Sequence, residues 1–250
     1  MIYLSGDSHG DFLRFTDSHF SERRTLSKED LVIVLGDFGL IWSTDPDNTE
    51  ERFFTNFFND SPFTILFIDG NHENFDRLNA MEEHIWHGGR VHMISSNIIH
   101  LMRGQVYEIE GKTFFTFGGA ISRDTEGGIF EPEDPELQSK IDKAKSLNRH
   151  YRINHRSWWK EERPSSEERL EDINNLRKHD NEVDVIFTHD CASSTQKLLN
   201  PSFQSDEVSD YLEQIKQTVS FRKWYFGHYH LEKQFGKEHV LYESIVPLCL

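Results

Sequence analysis

The sequence predicts an α/β domain, and three observations carry the prediction. Short apolar runs alternate with helical stretches through the first half, the pattern of a layered fold. Five such runs stop abruptly at their carboxyl ends, and each is followed at once by Asp, Asn or His. The 250 residues suffice for one sizeable core and contain no repeat, linker or low-complexity segment, so the expected organisation is one domain over residues 1–250.

Taken in order, residues 2–4 form the first strand, and Asp11 is placed to cap a helix over residues 13–19, because its carboxylate accepts from an orphan backbone N–H. Residues 31–35 are the second strand. Residues 49–59 follow as a helix whose apolar face is Phe53, Phe54, Phe57 and Phe58. Residues 65–68 are the third strand, and residues 74–81 a shorter helix. Between Val91 and Gly119 the period drops to two. Residues 98–102, 106–109 and 113–117 read as strands turned at Gly104 and Glu110-Gly111, predicting an antiparallel meander within the domain. Residues 124–166 are the least regular stretch, with Gly127-Gly128 and three of the seven prolines. They are too long for an ordinary connection and predict a functional loop or cap. Ser165 with Glu168 makes a capping box for a helix over residues 167–179. Strands at 185–187 and 224–226 flank a helix at 206–217. Residues 232–248 alternate as two closing strands around Gly236-Lys237.

The formal charge is −16, from 27 basic and 43 acidic side chains. Such a surface opposes non-specific association with nucleic acids or anionic membranes. Bound cations would neutralise part of it. Cys191 and Cys249 are the only cysteines, so no disulfide framework is expected. No leader-like segment or membrane-length apolar run is visible either, and the expected setting is a reducing cytoplasm.

The strand ends deliver Asp7 and His9, Asp37, Asn71 and His72, His189, then His228 and His230. Open α/β sheets place ligand crevices at such ends, and mixed oxygen and nitrogen donors suit divalent transition metals. Phosphoester hydrolysis needs help at an oxygen-shielded phosphorus and a better nucleophile than water. Two cations roughly 3.5–4 Å apart supply both. Asp37 stands alone in a glycine-led turn and is the natural bridge. Asp7 and His9, two apart on an extended segment, face the same side, and His228 with His230 repeat that spacing. Asn71 offers a carbonyl oxygen and His189 an imidazole nitrogen. Any one of these residues is an ordinary turn former or cap, and Gly10, Gly36, Gly70 and Gly227 are ordinary turn glycines. Five strand ends carrying metal-competent side chains together predict a two-metal hydrolase.

The series Asp7-Ser8-His9, Gly36-Asp37, Gly70-Asn71-His72-Glu73, His189 and Gly227-His228-Tyr229-His230 resembles the calcineurin-like metallophosphoesterase superfamily, in order and across nearly the whole chain. The resemblance implies a four-layer α-β-β-α sandwich with two mixed sheets. It also implies a dinuclear centre of manganese, or of iron or zinc. Asp7, His9, Asp37 and His230 would hold one ion, and Asp37, Asn71, His189 and His228 the other. A hydroxide held between the ions would attack phosphorus in line, while His72 assists the leaving oxygen. The opening motif and Gly-Asn-His-Glu most resemble the phosphoprotein-phosphatase branch, in particular a bacterial and phage subgroup that shares residues 118–124, Tyr151-Arg152, Trp158-Trp159 and Glu161-Glu162. That branch carries a second Asp three residues beyond the bridging one, then Arg and Gly, where this chain has Leu40, Ile41 and Trp42.

Substrate handling must therefore differ. Asp45, Asp69 or Glu73 is left to orient His72. Arg123 and Arg152 are the candidate phosphate-binding guanidiniums, the alternative being surface pairs with Asp124 or Glu161. Trp158-Trp159 either stacks on a substrate or anchors its loop, Cys191 is read as buried packing, and His84, His87 and His92 as surface or structural. The expected activity is a phosphatase acting on a phosphorylated small molecule or phosphoprotein. The alternatives are a dinucleoside-polyphosphate hydrolase, another phosphodiesterase, or a non-catalytic scaffold of the same fold.

Overall fold

The computed structural model describes residues 1–250. Its strands are, in chain order, β1 (Ile2–Ser5), β2 (Leu31–Leu35), β3 (Thr64–Ile68), β4 (Glu83–Trp86), β5 (Gly89–Ser95), β6 (Ile98–Leu101), β7 (Gln105–Ile109) and β8 (Lys112–Phe117). Then come β9 (Ile129–Phe130), β10 (Arg152–Ile153), β11 (Glu182–Thr188), β12 (Ser220–Phe226), β13 (Lys233–Phe235), β14 (Glu238–Val240) and β15 (Val246–Pro247). The helices are α1 (Thr49–Asp60), α2 (Phe75–Leu78), α3 (Leu137–Ser146), α4 (Ser166–Lys178), α5 (Ser193–Leu199) and α6 (Glu207–Thr218). None is long and apolar enough to cross a membrane.

Two mixed sheets organise the molecule: β15-β1-β2-β3-β6-β5-β4 and β13-β14-β12-β11-β8-β7. Alternation along each strand decides which core a side chain enters. On β2, Val32 and Val34 face outward with Phe58 of α1, whereas Leu31, Ile33 and Leu35 face the other sheet. On β11, Val185 and Phe187 meet them from the opposite side, and Ile186 turns outward to Leu212 and Ile215 of α6. Three buried clusters thus lie in sequence: helix against sheet, sheet against sheet, sheet against helix. That is the four-layer sandwich.

Several elements differ from expectation. The helix over 13–19 is a single 3-10 turn, Leu13–Phe15, although Asp11 Oδ1 does accept from Leu13 N at 3.1 Å; Thr16 is already extended, and Leu13 lies exposed. The meander is split, because β6 pairs in the first sheet and β7 with β8 in the second. Gly104 makes that crossing in a left-handed conformation, φ +69°. Phe53 is 64% exposed, so the apolar face of α1 is narrower than its four phenylalanines suggest. Residues 124–166 are more ordered than their composition predicts: they hold β9, β10 and α3, and Trp159 anchors them to α2 through Nε1 to Asp76 at 2.7 Å. The capping box at Ser165 and Glu168 forms as read.

Candidate metal centre

In the first sheet β1, β2 and β3 run parallel, and in the second β8, β11 and β12 do. Their carboxyl ends meet along one edge, where Ser8 and His9 N–H groups bond Asp37 O and Gly119 N bonds Asp69 O. Asp7 is 1% exposed. Its Oδ1 accepts from His228 N at 2.8 Å, while Oδ2 is buried with no hydrogen-bond partner. Toward that oxygen point His230 Nε2 at 3.3 Å and His9 Nε2 at 3.7 Å, the two imidazole nitrogens standing 3.0 Å apart.

Asp37 lies between this group and a second one. Its Oδ2 is 3.6 Å from His9 Nε2 and 3.5 Å from His189 Nε2, and its Oδ1 accepts from His72 N at 2.7 Å. His189 donates Nδ1–H to Leu35 O at 2.8 Å, which turns Nε2 inward, 3.2 Å from Asn71 Oδ1. A histidine fixed through its other nitrogen in this way is what metal ligation requires. Asp7, His9 and His230, and likewise Asp7, Asp37 and His189, present donor atoms within 4.8 Å of one another. His228 stands beside these groups, its ring 5.0 Å from that of His189.

The backbone is bent to achieve this. His9, Asp37, His228 and His230 all have positive φ, between 47° and 67°, a region L-residues occupy at a cost and which clusters at functional sites. Gly36 and Gly70 are required by close approach. A Cβ on Gly36 would fall 2.1 Å from His189 Nδ1, and one on Gly70 would fall 2.0 Å from Asp37 Oδ1. Burial opposes ionisation of Asp37, but His189, His72 and His9 outweigh it and hold the carboxyl far below its usual range. Burial likewise opposes charge on His189, yet Asp37 and Asp7 hold it up at about 10. For His228, burial and then His189 push it down to about 3. Buried carboxylates and an unpartnered oxygen need positive charge close by. With all-nitrogen-and-oxygen donors, the residues fit divalent transition-metal ions.

The remaining expected residues take definite places. His72 lies edge-on to His9 at 5.3 Å, and its Nε2 is 3.4 Å from Arg152 Nη2. Arg152 is gripped by both oxygens of Asp124. None of Asp45, Asp69 and Glu73 orients the ring. Asp45 accepts from Asp47 N, Asp69 pairs with Arg103 and His100, and Glu73 accepts from Phe38 N. The contact to the His72 ring comes instead from Arg152, which Asp124 holds in place. Burial lowers His72, Asp37 opposes that shift, and Arg152 and His9 reinforce it.

Arg123 lies over the Phe203 ring with Nη2 3.4 Å from Asp206. Together with Asp124, Phe203 and Tyr229 it walls a cleft of about 290 Å³ above the centre. A neighbouring cleft of about 320 Å³ opens behind His9 and His72 between Phe12, Leu40, Trp42 and Phe54. Cys191 is buried, as expected, and His92 is a buried partner of His100. Sequence reasoning missed a support for Asn71: its Nδ2 donates to Ser122 Oγ at 3.1 Å, and Ser122 Oγ donates to Glu162 Oε2 at 2.5 Å. That relay fixes which way the amide points, so the carbonyl faces the centre.

Residues 1–232 match the family model of calcineurin-like phosphoesterases. The chain belongs to that family. The phosphoesterase is accordingly a hydrolase of phosphoesters, and the acidic and imidazole groups converging at its strand ends are able to hold metal. No curated protein matches the chain closely enough to count as a relative.

Proposed function

We propose that the phosphoesterase is a phosphatase with a dinuclear centre, close to the phosphoprotein-phosphatase branch. Asp7, His9, Asp37 and His230 hold one ion, and Asp37, Asn71, His189 and His228 the second. Manganese is the first choice and iron or zinc the alternatives. The observation that carries the reading is Asp37 Oδ2, about equally distant from His9 and His189. When bound, such ions supply Lewis acidity to phosphoryl oxygens and acidify a water.

The protein's own groups do the rest. Arg123 lines the cleft over the centre and Arg152 stands 3.4 Å from His72, each offering planar N–H pairs to phosphate oxygens. Each is pre-set by a carboxylate, Asp206 or Asp124. His72 borders the cleft and is placed to hold a proton at the departing oxygen. Trp42, 5.8 Å from His72 and 5.5 Å from buried Trp159, packs beside the His72 ring. The proposal extends to a single folding unit with the excursion 124–166 contributing Arg152, and to a reducing, cytoplasmic setting, which the two unpaired cysteines support.

Asp37→Asn is expected to lower turnover of p-nitrophenyl phosphate by roughly a thousandfold while thermal unfolding stays cooperative. Unchanged hydrolysis by that variant refutes the centre. His72→Asn is expected to slow turnover with metal content near wild type by elemental analysis. Loss of metal there would make His72 a ligand instead.

A further inference from the structure

Cations outnumber acids most clearly in one segment of this chain. From residue 137 to residue 157 stand Lys140, Lys143, Lys145, Arg149, Arg152 and Arg156 against a single acid, Asp142, in a chain of formal charge −16. Lys140 pairs with Asp134 and Arg152 with Asp124. The other four cations form no ion pair within 4.0 Å, as the full set of such pairs contains none of them.

These side chains do not merely decorate a solvated face. Lys145, Arg149, His150 and Arg152, with Tyr151, line a concavity of about 580 Å³ whose only acidic lining residue is Asp124, already engaged by Arg152. The helix dipole accounts for Lys143 and Lys145 in the last turn of α3. It does not account for Arg149 and His150, which lie beyond the helix end. The concavity also adjoins the centre. Asp124 lines both it and the cleft over Asp37, and Arg152, one wall of it, reaches His72 at 3.4 Å.

We infer that this basic concavity receives a second phosphate of a small-molecule substrate, one carried at a distance from the phosphoester being cleaved. The inference rests on the phosphatase reading and names its substrate class: bisphosphorylated small molecules. The concavity is open to solvent and of a size for a compact ligand, and the acidic remainder of the surface disfavours a long polyanion. Arg152, which lines the concavity and stands 3.4 Å from His72 of the adjoining cleft, is the hinge of the recognition, while Lys145 and Arg149 supply further charge.

The test compares two non-hydrolysable ligands, hexanediyl bisphosphonate and hexylphosphonate, as competitive inhibitors of p-nitrophenyl phosphate hydrolysis by the metal-loaded enzyme at low ionic strength. Isothermal titration of the same ligands provides a readout independent of turnover. The wild type is expected to bind the bisphosphonate roughly tenfold more tightly, an advantage that shrinks with added salt. Lys145→Glu with Arg149→Glu should erase that advantage and leave hexylphosphonate binding in place. Equal binding of the two ligands by wild type, or an advantage that survives the double substitution, overturns the inference. Absence of any p-nitrophenyl phosphate turnover would instead strike the phosphatase reading, and the titration would still report on the concavity.

Discussion

The strand-end centre and the excursion 124–166 solve the same problem of holding polar side chains in opposite ways. At the centre, position is enforced by the backbone: Asp7, Asp37 and His189 are at most 2% exposed, Asp37 lies in a left-handed conformation, and glycines leave no room for adjustment. In the excursion, position is enforced by side-chain pairs on a short two-stranded ribbon and a helix, with Arg152 held by Asp124 and Trp159 by Asp76. The contrast teaches where variation is cheap. On the proposed reading, substituting a paired arginine should alter recognition, whereas altering a strand end should displace metal ligands.

After Asp37→Asn itself, the largest effect should come from Gly70→Ala. Its new Cβ would sit 2.0 Å from Asp37 Oδ1 and push the carboxylate aside. Displacement on the ångström scale costs on the order of a hundredfold in kcat, and full activity in this variant would break the contrast. Next is Glu162→Ala, the point where the excursion reaches the centre. With Ser122 released, Asn71 loses its orientation, and metal-titrated activity should show an affinity loss of roughly 10–100-fold.

A reference outside both regions is Asp172, buried on α4 beneath Tyr211. Burial pushes its carboxyl up from 3.8 to about 7, against the Tyr211 hydroxyl. The folded chain thus keeps a proton that the unfolded chain releases, and stability falls as pH rises from 3.8 to about 7. Asp172→Asn should flatten that slope, its Tm gaining on wild type by pH 8 with kcat unaltered; parallel Tm profiles would refute the assignment. Smallest on activity is Trp159→Phe, which deletes the bond to Asp76 and trims a fully buried ring, so that the cavity adds to the cost of the lost bond. Denaturant melts should show a loss of at least about 1 kcal/mol, with the anchor reading refuted if stability is unchanged.

Much of this was legible in residue order. Leu31 to Leu35 is apolar at every position because both of its faces are covered, and the candidate ligand Asp37 follows two residues on. Where patterns failed, the missing information was three-dimensional. Period-two alternation marks β6 and β7 as strands but says nothing about which sheet each joins. β4 is exposed along most of its length and leaves no apolar signature. α3 buries only Ile141 and Ala144 and has no side-chain cap, so neither periodicity nor a start signal reveals it. The departure at Leu40, Ile41 and Trp42 left the partner of His72 open among Asp45, Asp69 and Glu73. Only the fold shows Asp124 reaching it through an arginine from another segment.

The bond from His228 N to Asp7 Oδ1 joins residues 221 apart in sequence. During synthesis at 5–20 residues per second, roughly 10–40 s pass between the appearance of the two. Until then Asp7 and Asp37 sit at the rim of a half-built sandwich, open to water. On the proposed dinuclear reading, a chain cut short before Gly227 would lack that cover and both imidazoles, His228 and His230, and should neither hold both ions nor turn over substrate.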